Sequence, residues 1–300
     1  MKTPNVAASV RQRLLTLAQA REWEFNRVLA RYGVERVLCR LAASPHGERF
    51  LLKGATLFTV WEGAPHRATR DLDLLGLRRR SQEELVALFR EVISSPVEPD
   101  GLVFGEVTAE PIRAAMEAGG IRMILRAELD GARITVQVDV GFGDATVPPP
   151  VLVEFPTLLN MPKPKLWAYP PETVIAEKLE AMVRLGLANS RMKDFFDIWH
   201  LAQAYPFEGE LLTGAIHATF AARKTPLPTD PVTALTSKFS EDPGKCIQWN
   251  AFVQQAAVAE TTPSLPEVVA GIRDFLGPLL ASFQAKSPVP KSWRAKQGWL

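Results

Sequence analysis

Apolar residues recur at roughly helical spacing from about Val10 to Leu41, with Leu14, Leu15, Leu17, Phe25, Val28, Leu29, Val37 and Leu38 carrying the pattern. It predicts helices interrupted near Gly33. The apolar run Phe50-Leu51-Leu52 stops at Lys53-Gly54 and reads as a strand end, and Ala55 to Glu62 follows as a short helix. Arg70 to Leu75 alternates like a strand and is stopped by Gly76 and the run Arg78-Arg79-Arg80. Ser81, with Glu84 three residues on, has the form of a capping box opening a helix that runs through Val92.

The clearest local signal follows. Ile121 to Leu129 and Arg133 to Val140 are strand-like runs joined by Asp130-Gly131, a hairpin turn sequence. In the return strand Ile134, Val136, Val138 and Val140 share one face, and Thr135, Gln137 and Asp139 share the other. Prolines 148–150, 156, 162 and 164 then punctuate the chain, after which Pro171 to Leu187 and Lys193 to Tyr205 read as helices, and helical segments alternate with proline breaks as far as Phe283. The expected class is α+β: residues 1–155 form a mixed-sheet lobe with N-terminal helices, residues 156–283 a helical lobe, and a cleft lies between them. Residues 284–300 carry Lys286, Lys291, Arg294 and Lys296 without an acid and are expected to be a poorly ordered basic tail.

Composition narrows the partners only a little. Hydrophobic residues make up 47% and charged residues 23%, ordinary for a chain with a real core, and the net charge of +2 does not by itself indicate nucleic acid. Cys39 and Cys246 have no zinc-ligand spacing, and two sparse thiols suit a reducing cytosol. No signal peptide and no membrane-length apolar window is read, so a cytoplasmic protein without a membrane partner is expected.

Asp71 and Asp73 lie two apart in Thr69-Arg70-Asp71-Leu72-Asp73-Leu74, so a strand places both carboxylates on one face and Leu72 and Leu74 on the other. Like charges side by side repel, and a hard cation such as Mg2+ relieves them. A solvated edge strand has the same pattern. Asp139, on the polar face of its strand, would add a third carboxylate and a two-metal site, in which one ion activates an attacking hydroxyl and the other holds a triphosphate. Lys53 and Gly54 stand before a helix start at Ala55-Thr56 that offers N–H groups to phosphate; an ordinary turn fits equally. Lys178 sits on a stripe with Val174, Ala181 and Leu185 and either snorkels outward or faces an anion. Asp194 and Asp197 share a face of the next helix, either functionally or as a solvated pair with Lys193 bonding Asp197. The four histidines form no metal-spaced cluster, and neither a nucleophile elbow nor a dinucleotide loop is present.

Together these residues resemble the AbiEii/AbiGii/MenT-type nucleotidyltransferase toxins of the polymerase-beta-like superfamily. The matching stretches are Phe50 to Leu57, Arg67 to Asp73, Val136 to Val140, Glu177-Lys178-Leu179 and Arg191 to Asp197, in the family's order over about half the chain. Ala55 replaces the usual second glycine, and Thr69 the usual serine, which keeps the hydroxyl. The resemblance implies a toxin that transfers a nucleotide from an NTP to RNA, in some relatives the tRNA 3′ end, with Mg2+ or Mn2+ as cofactor and a cognate antitoxin encoded beside it. It implies that Asp71 and Asp73 bind magnesium, that Lys178 steadies the triphosphate and that Asp194 completes the active site from the helical lobe; with Asp139 as a third metal ligand and Lys53, Gly54 and Thr69 beside the nucleotide, these make up the expected site. Competing readings are a metal-dependent glycosyltransferase, nucleotidyl transfer onto a protein or small molecule, and a non-catalytic nucleotide-binding module. For an RNA acceptor the basic candidates are Arg67, Arg70, Arg78, Arg79 and Arg80 around the metal motif, and the tail with Trp293 and Trp299 available to stack on bases.

Overall fold

The computed structural model describes residues 5–63, 71–112, 119–256, 262–285 and 288–300. The chain divides into two compact units, Met1–Gly143 with Val151–Ala168, and Asp144–Pro150 with Tyr169–Leu300.

The first unit contains α1 (Val6–Ala20), α2 (Phe25–Ala43), β1 (Phe50–Lys53), α3 (Thr56–Glu62), β2 (Asp71–Gly76), α4 (Gln82–Ile93), β3 (Val103–Pro111), β4 (Ile121–Leu129), β5 (Ala132–Phe142), β6 (Val151–Glu154) and β7 (Lys165–Ala168). The strands form one seven-stranded mixed sheet in the order β3-β4-β5-β2-β1-β7-β6. β2 runs parallel to β5 and β1 parallel to β7; the other pairs are antiparallel. Asp130 and Gly131 both take positive φ, the conformation a two-residue hairpin turn requires, and β4 and β5 pair along their whole length. Val136, Val138 and Val140 are fully buried on the face that α2 covers, together with Leu72 and Leu74 of β2. Each such side chain contributes about 1.5–3 kcal/mol of burial. The Ser81 capping box is present, with Glu84 Oε2 accepting from Ser81 N at 2.7 Å and Ser81 Oγ accepting from Glu84 N at 3.2 Å.

Three sequence expectations are corrected. The helix break falls at residues 21–24, where Glu22 takes φ 54°, and not near Gly33. Gly33 lies inside α2, and a Cβ there would come within 2.7 Å of Ile134 Cγ2 and 2.8 Å of Val136 Cγ2, so its role is close helix-to-sheet approach. The lobe boundary is not a single cut at 155, because β6 and β7, hidden among prolines, complete the sheet, while residues 144–150 belong to the second unit.

The second unit contains α5 (Pro171–Leu185), α6 (Met192–Ala204), β8 (Phe207–Glu208), α7 (Gly209–Ala222), α8 (Ser237–Ser240), α9 (Pro243–Ala256), α10 (Leu265–Ala285), β9 (Ser292–Arg294) and β10 (Gly298–Trp299). The third correction lies here. The expected basic tail forms β9 and β10, which build a three-stranded sheet with β8. Trp293 Nε1 donates to the Ala202 carbonyl at 2.8 Å and Trp299 Nε1 to the Phe275 carbonyl at 2.7 Å, and both indoles pack on the Phe275 ring. The apolar area of two indoles outweighs Arg294 and Lys296 between them, which stay at the surface. The tryptophans expected to stack on bases are therefore committed to packing within the unit.

Candidate active site

Strand register builds a charged row on the sheet face opposite α2. Lys53 of β1 pairs with Asp73 of β2, Asp73 pairs with Asp139 of β5, and Asp139 pairs with Arg122 of β4. Directly paired residues point to the same face, so the row reads Lys53, Asp73, Asp139, Arg122, with both ends positive and the middle negative. Asp71 stands two residues along from Asp73 beside Gln137 on the same face. Asp71 and Asp73 are half-buried, while Leu72 between them is fully buried on the core side, as the alternation predicts.

Arg122 grips Asp139 with two parallel bonds, Nε to Oδ1 and Nη2 to Oδ2, both 2.9 Å, and Gln137 Nε2 donates to Oδ1 at 3.2 Å. These hydrogen bonds, with the charge of Asp139, raise the guanidinium above its usual pKa, against the weaker effect of burial. Sequence reasoning passed over Arg122. The signal was in the hairpin: Asp130-Gly131 pairs Leu129 with Ala132, and equal counting along both strands brings Arg122 opposite Asp139.

Gly54 follows β1 with φ 73°, and a Cβ there would overlap the Asp73 carboxylate. That carboxylate thus lies directly over the glycine backbone, which explains why a glycine stands here. The next residue, Ala55, has helical φ and ψ of −67° and −21°, so alanine fits where the family usually has glycine. Thr56 Oγ1 donates to the Asp71 carbonyl at 3.4 Å and links the start of α3 to β2. Thr69, Arg67 and Arg70 lie outside the described residues; Arg78 and Arg79 are exposed, and Arg80 stacks over Phe50.

In the second unit Lys178 of α5 does not snorkel. Its Nζ lies 2.8 Å from Asp194 Oδ1 and 2.8 Å from Asp197 Oδ2, both carboxylates of α6 with no exposure, and its own side chain is 10% exposed. Asp197 therefore faces Lys178, where the sequence left Lys193 as its alternative partner. Arg191, half-exposed, adds a 2.5 Å bond to Asp194 Oδ2. Burial alone would raise the Asp194 pKa, but Lys178 and Arg191 overcome it and hold the group below the ordinary carboxylate range. Two cations thus balance two buried anions. A second buried set joins α5 to Arg223: Glu180 accepts from Arg223, Arg184 and Thr225, and Arg223 also reaches Asp144 and Glu177.

Asp71 and Asp73 fit a magnesium ion on chemical grounds. They offer hard oxygen ligands from one strand face, and Mg2+ commonly takes one or two protein carboxylates with substrate phosphates completing its shell. At Gly54 the absence of a Cβ leaves the space that the Asp73 carboxylate occupies. Among the described residues no group of three or more His, Cys, Asp or Glu side chains is arranged to hold a metal, and no helix is long and apolar enough to cross a membrane.

Among solved structures the chain is similar to JHP933 from Helicobacter pylori, at 16% identity and TM-score 0.51, over 86% of this chain and 92% of that one. It is also similar to a second H. pylori protein, described as a candidate nucleotidyltransferase, at 17% identity and TM-score 0.48, over 85% and 93%. At these identities the first likeness speaks for the fold alone. No curated protein matches the chain. The family model for the nucleotidyl transferase AbiEii toxin of type IV toxin–antitoxin systems matches residues 36–271, which takes in β1 with its glycine turn, the aspartates of β2 and β5, and the Lys178–Asp194 pair. On that match the chain belongs to the AbiEii nucleotidyltransferase toxin family.

Proposed function

We propose that this protein is a magnesium-dependent toxin that transfers a nucleotide from an NTP to RNA, with the tRNA 3′ end as the acceptor. Family membership itself implies a nucleotide substrate and an antitoxin partner; the metal, the acceptor and an antitoxin encoded beside the toxin are the finer reading. One observation carries it: Asp71 and Asp73 project from one strand face beside the Gly54 turn, with Lys53 in register next to Asp73. Asp71 and Asp73 would hold the ion, which supplies Lewis-acid stabilisation of charge on the phosphates. Lys53, in register beside Asp73, offers a cation to phosphate oxygens there. Lys178 is the ammonium offered to the triphosphate, and Asp194 and Asp197 fix where it points. The exposed Arg78 and Arg79 suit a polyanionic acceptor, whose binding then weakens steeply with salt as counterions are released.

The test is incubation of the protein with each labelled NTP, Mg2+ and total cellular RNA, followed by a denaturing gel. Label is expected on RNA of tRNA size with wild type and not with Asp71→Ala. The Asp71→Ala melting temperature should hold or rise, because a like-charge repulsion is relieved. Undiminished transfer by Asp71→Ala would refute the metal assignment, and label only on protein or small molecules would refute the RNA acceptor.

A further inference from the structure

The Arg122–Asp139 pair is more than a cross-strand ion pair, because of which edges of the two groups are used. Every bond given to Asp139 comes from a side chain already in place: Oδ1 accepts from Arg122 Nε and Gln137 Nε2, and Oδ2 accepts from Arg122 Nη2. A guanidinium has more than one edge with which to receive an anion. Asp139 occupies the edge formed by Nε and Nη2. The edge formed by Nη1 and the remaining Nη2 hydrogen has no partner among the described residues, and Arg122 is about one-third exposed. Strand register fixes this arrangement, since Arg122 directly opposes Asp139, which directly neighbours Asp73.

We propose that Arg122 is a phosphate-contacting residue of the nucleotidyltransferase site and that Asp139 is its positioning residue rather than a metal ligand. The proposal rests on the metal and nucleotide reading above and refines it. Two cations then bracket the carboxylates, Lys53 at one end of the row and Arg122 at the other, while Asp71 and Asp73 remain as the ligands for the ion. No three acidic groups among the described residues converge on a metal position, as expected when Asp139 is turned to Arg122. The free edge of the guanidinium matches two oxygens of one phosphate, a geometry that a lysine cannot reproduce. A dedicated carboxylate holding the near edge removes most of the rotamer freedom that an arginine otherwise loses on binding.

The experiment separates metal binding from phosphate binding without relying on turnover. Mn2+ binding to the intact protein is measured by calorimetry without nucleotide, and inorganic tripolyphosphate binding is measured with and without Mg2+. The proteins are wild type, Asp73→Asn, Asp139→Asn, Arg122→Gln and Arg122→Lys, each checked by circular dichroism. Asp73→Asn should lose Mn2+ binding. Asp139→Asn and Arg122→Gln should keep it and bind tripolyphosphate about 10-fold more weakly or worse, as for a lost hydrogen bond to a charged group. Arg122→Lys should fall between, and it stands in for Arg122→Gln should that variant fail to fold. Two results overturn the proposal: Mn2+ affinity falling as far in Asp139→Asn as in Asp73→Asn, or tripolyphosphate affinity unchanged in the Arg122 variants. Should wild type itself take up no Mn2+, the metal reading of Asp71 and Asp73 fails, while tripolyphosphate binding without metal still decides the role of Arg122.

Discussion

Lys178→Met keeps the length and the apolar stem of the side chain and deletes only its charge. In the wild type the ammonium sits 2.8 Å from each of two carboxylates that have no exposure. Removing one partner of a buried ion set leaves an uncompensated buried charge, which costs about 3–5 kcal/mol. At roughly 2–4 °C per kcal/mol for a protein unit of this size, the melting temperature should fall by roughly 6–20 °C. The sharper expectation concerns pH. Asp194 in the wild type is held below the ordinary carboxylate range by Lys178 and Arg191, which outweigh its burial. A depressed folded pKa gives stability that is fully present above the unfolded value, near 3.9, and is lost as pH falls through the folded value. Without Lys178, burial dominates and the carboxyl is pushed above its ordinary value. A raised folded pKa has the opposite consequence: the group costs stability at neutral pH and returns it as pH drops through the folded value.

The gap in unfolding free energy between wild type and Lys178→Met should therefore be largest near neutral pH and should shrink steadily between about pH 7 and pH 4, because protonation removes the buried charge that the variant cannot balance. Urea melts of both proteins across that range measure the gap, and working with the difference cancels groups titrating equally in both. Adding Asp197→Asn to Lys178→Met should recover part of the loss, since it removes one of the stranded anions. A gap that is flat or widens toward acid pH would show that Lys178 does not neutralise these carboxylates, and an unchanged melting temperature would show that the buried set contributes nothing to the fold.

Two further changes follow from the packing. Gly54→Ala puts a methyl where the Asp73 carboxylate lies and asks alanine to hold φ 73°; it should cost about 1 kcal/mol or more in a urea melt and weaken Mn2+ binding, and wild-type behaviour in both would remove Gly54 from the site. Trp293→Ala empties a buried indole position and its bond to Ala202; it should cost about 3–5 kcal/mol, and a melt within error of wild type would mean that the C-terminal sheet is not coupled to the helices it packs on.

Local chemistry made much of this fold readable in advance. Ser81 with Glu84 fixes the start of α4, Asp130-Gly131 fixes the β4–β5 turn, and alternation in β2 and β5 separates core from polar face, because each of these depends on neighbours within a few residues. The failures share a different cause. Gly33 reads as a breaker in isolation, yet Ile134 and Val136, about a hundred residues away, require it inside a helix. β6 and β7 are short and flanked by prolines, so only their pairing partners make them strands. The tail looked disordered by its lysines, although Phe207 and Phe275 supply the aromatic surface on which its tryptophans bury.

The charged row shows where the boundary between these two kinds of information runs. Its outer half was within reach, since a two-residue turn dictates that Arg122 meets Asp139, and a cation opposite a candidate metal ligand changes the meaning of that ligand. Its inner half was not. Nothing local to β2 or β5 says that they run parallel with Asp73 beside Asp139 and not slipped by two residues, which would place Asp71 there instead and leave every side chain on its proper face. That choice is made by core packing on the other side of the sheet, where Leu72 and Leu74 register against Val138 and Val140. The apolar face of the sheet thus sets which carboxylate stands next to Arg122's partner. A volume change at Val138 or Leu72 therefore acts on the chemistry through register, with no polar atom altered.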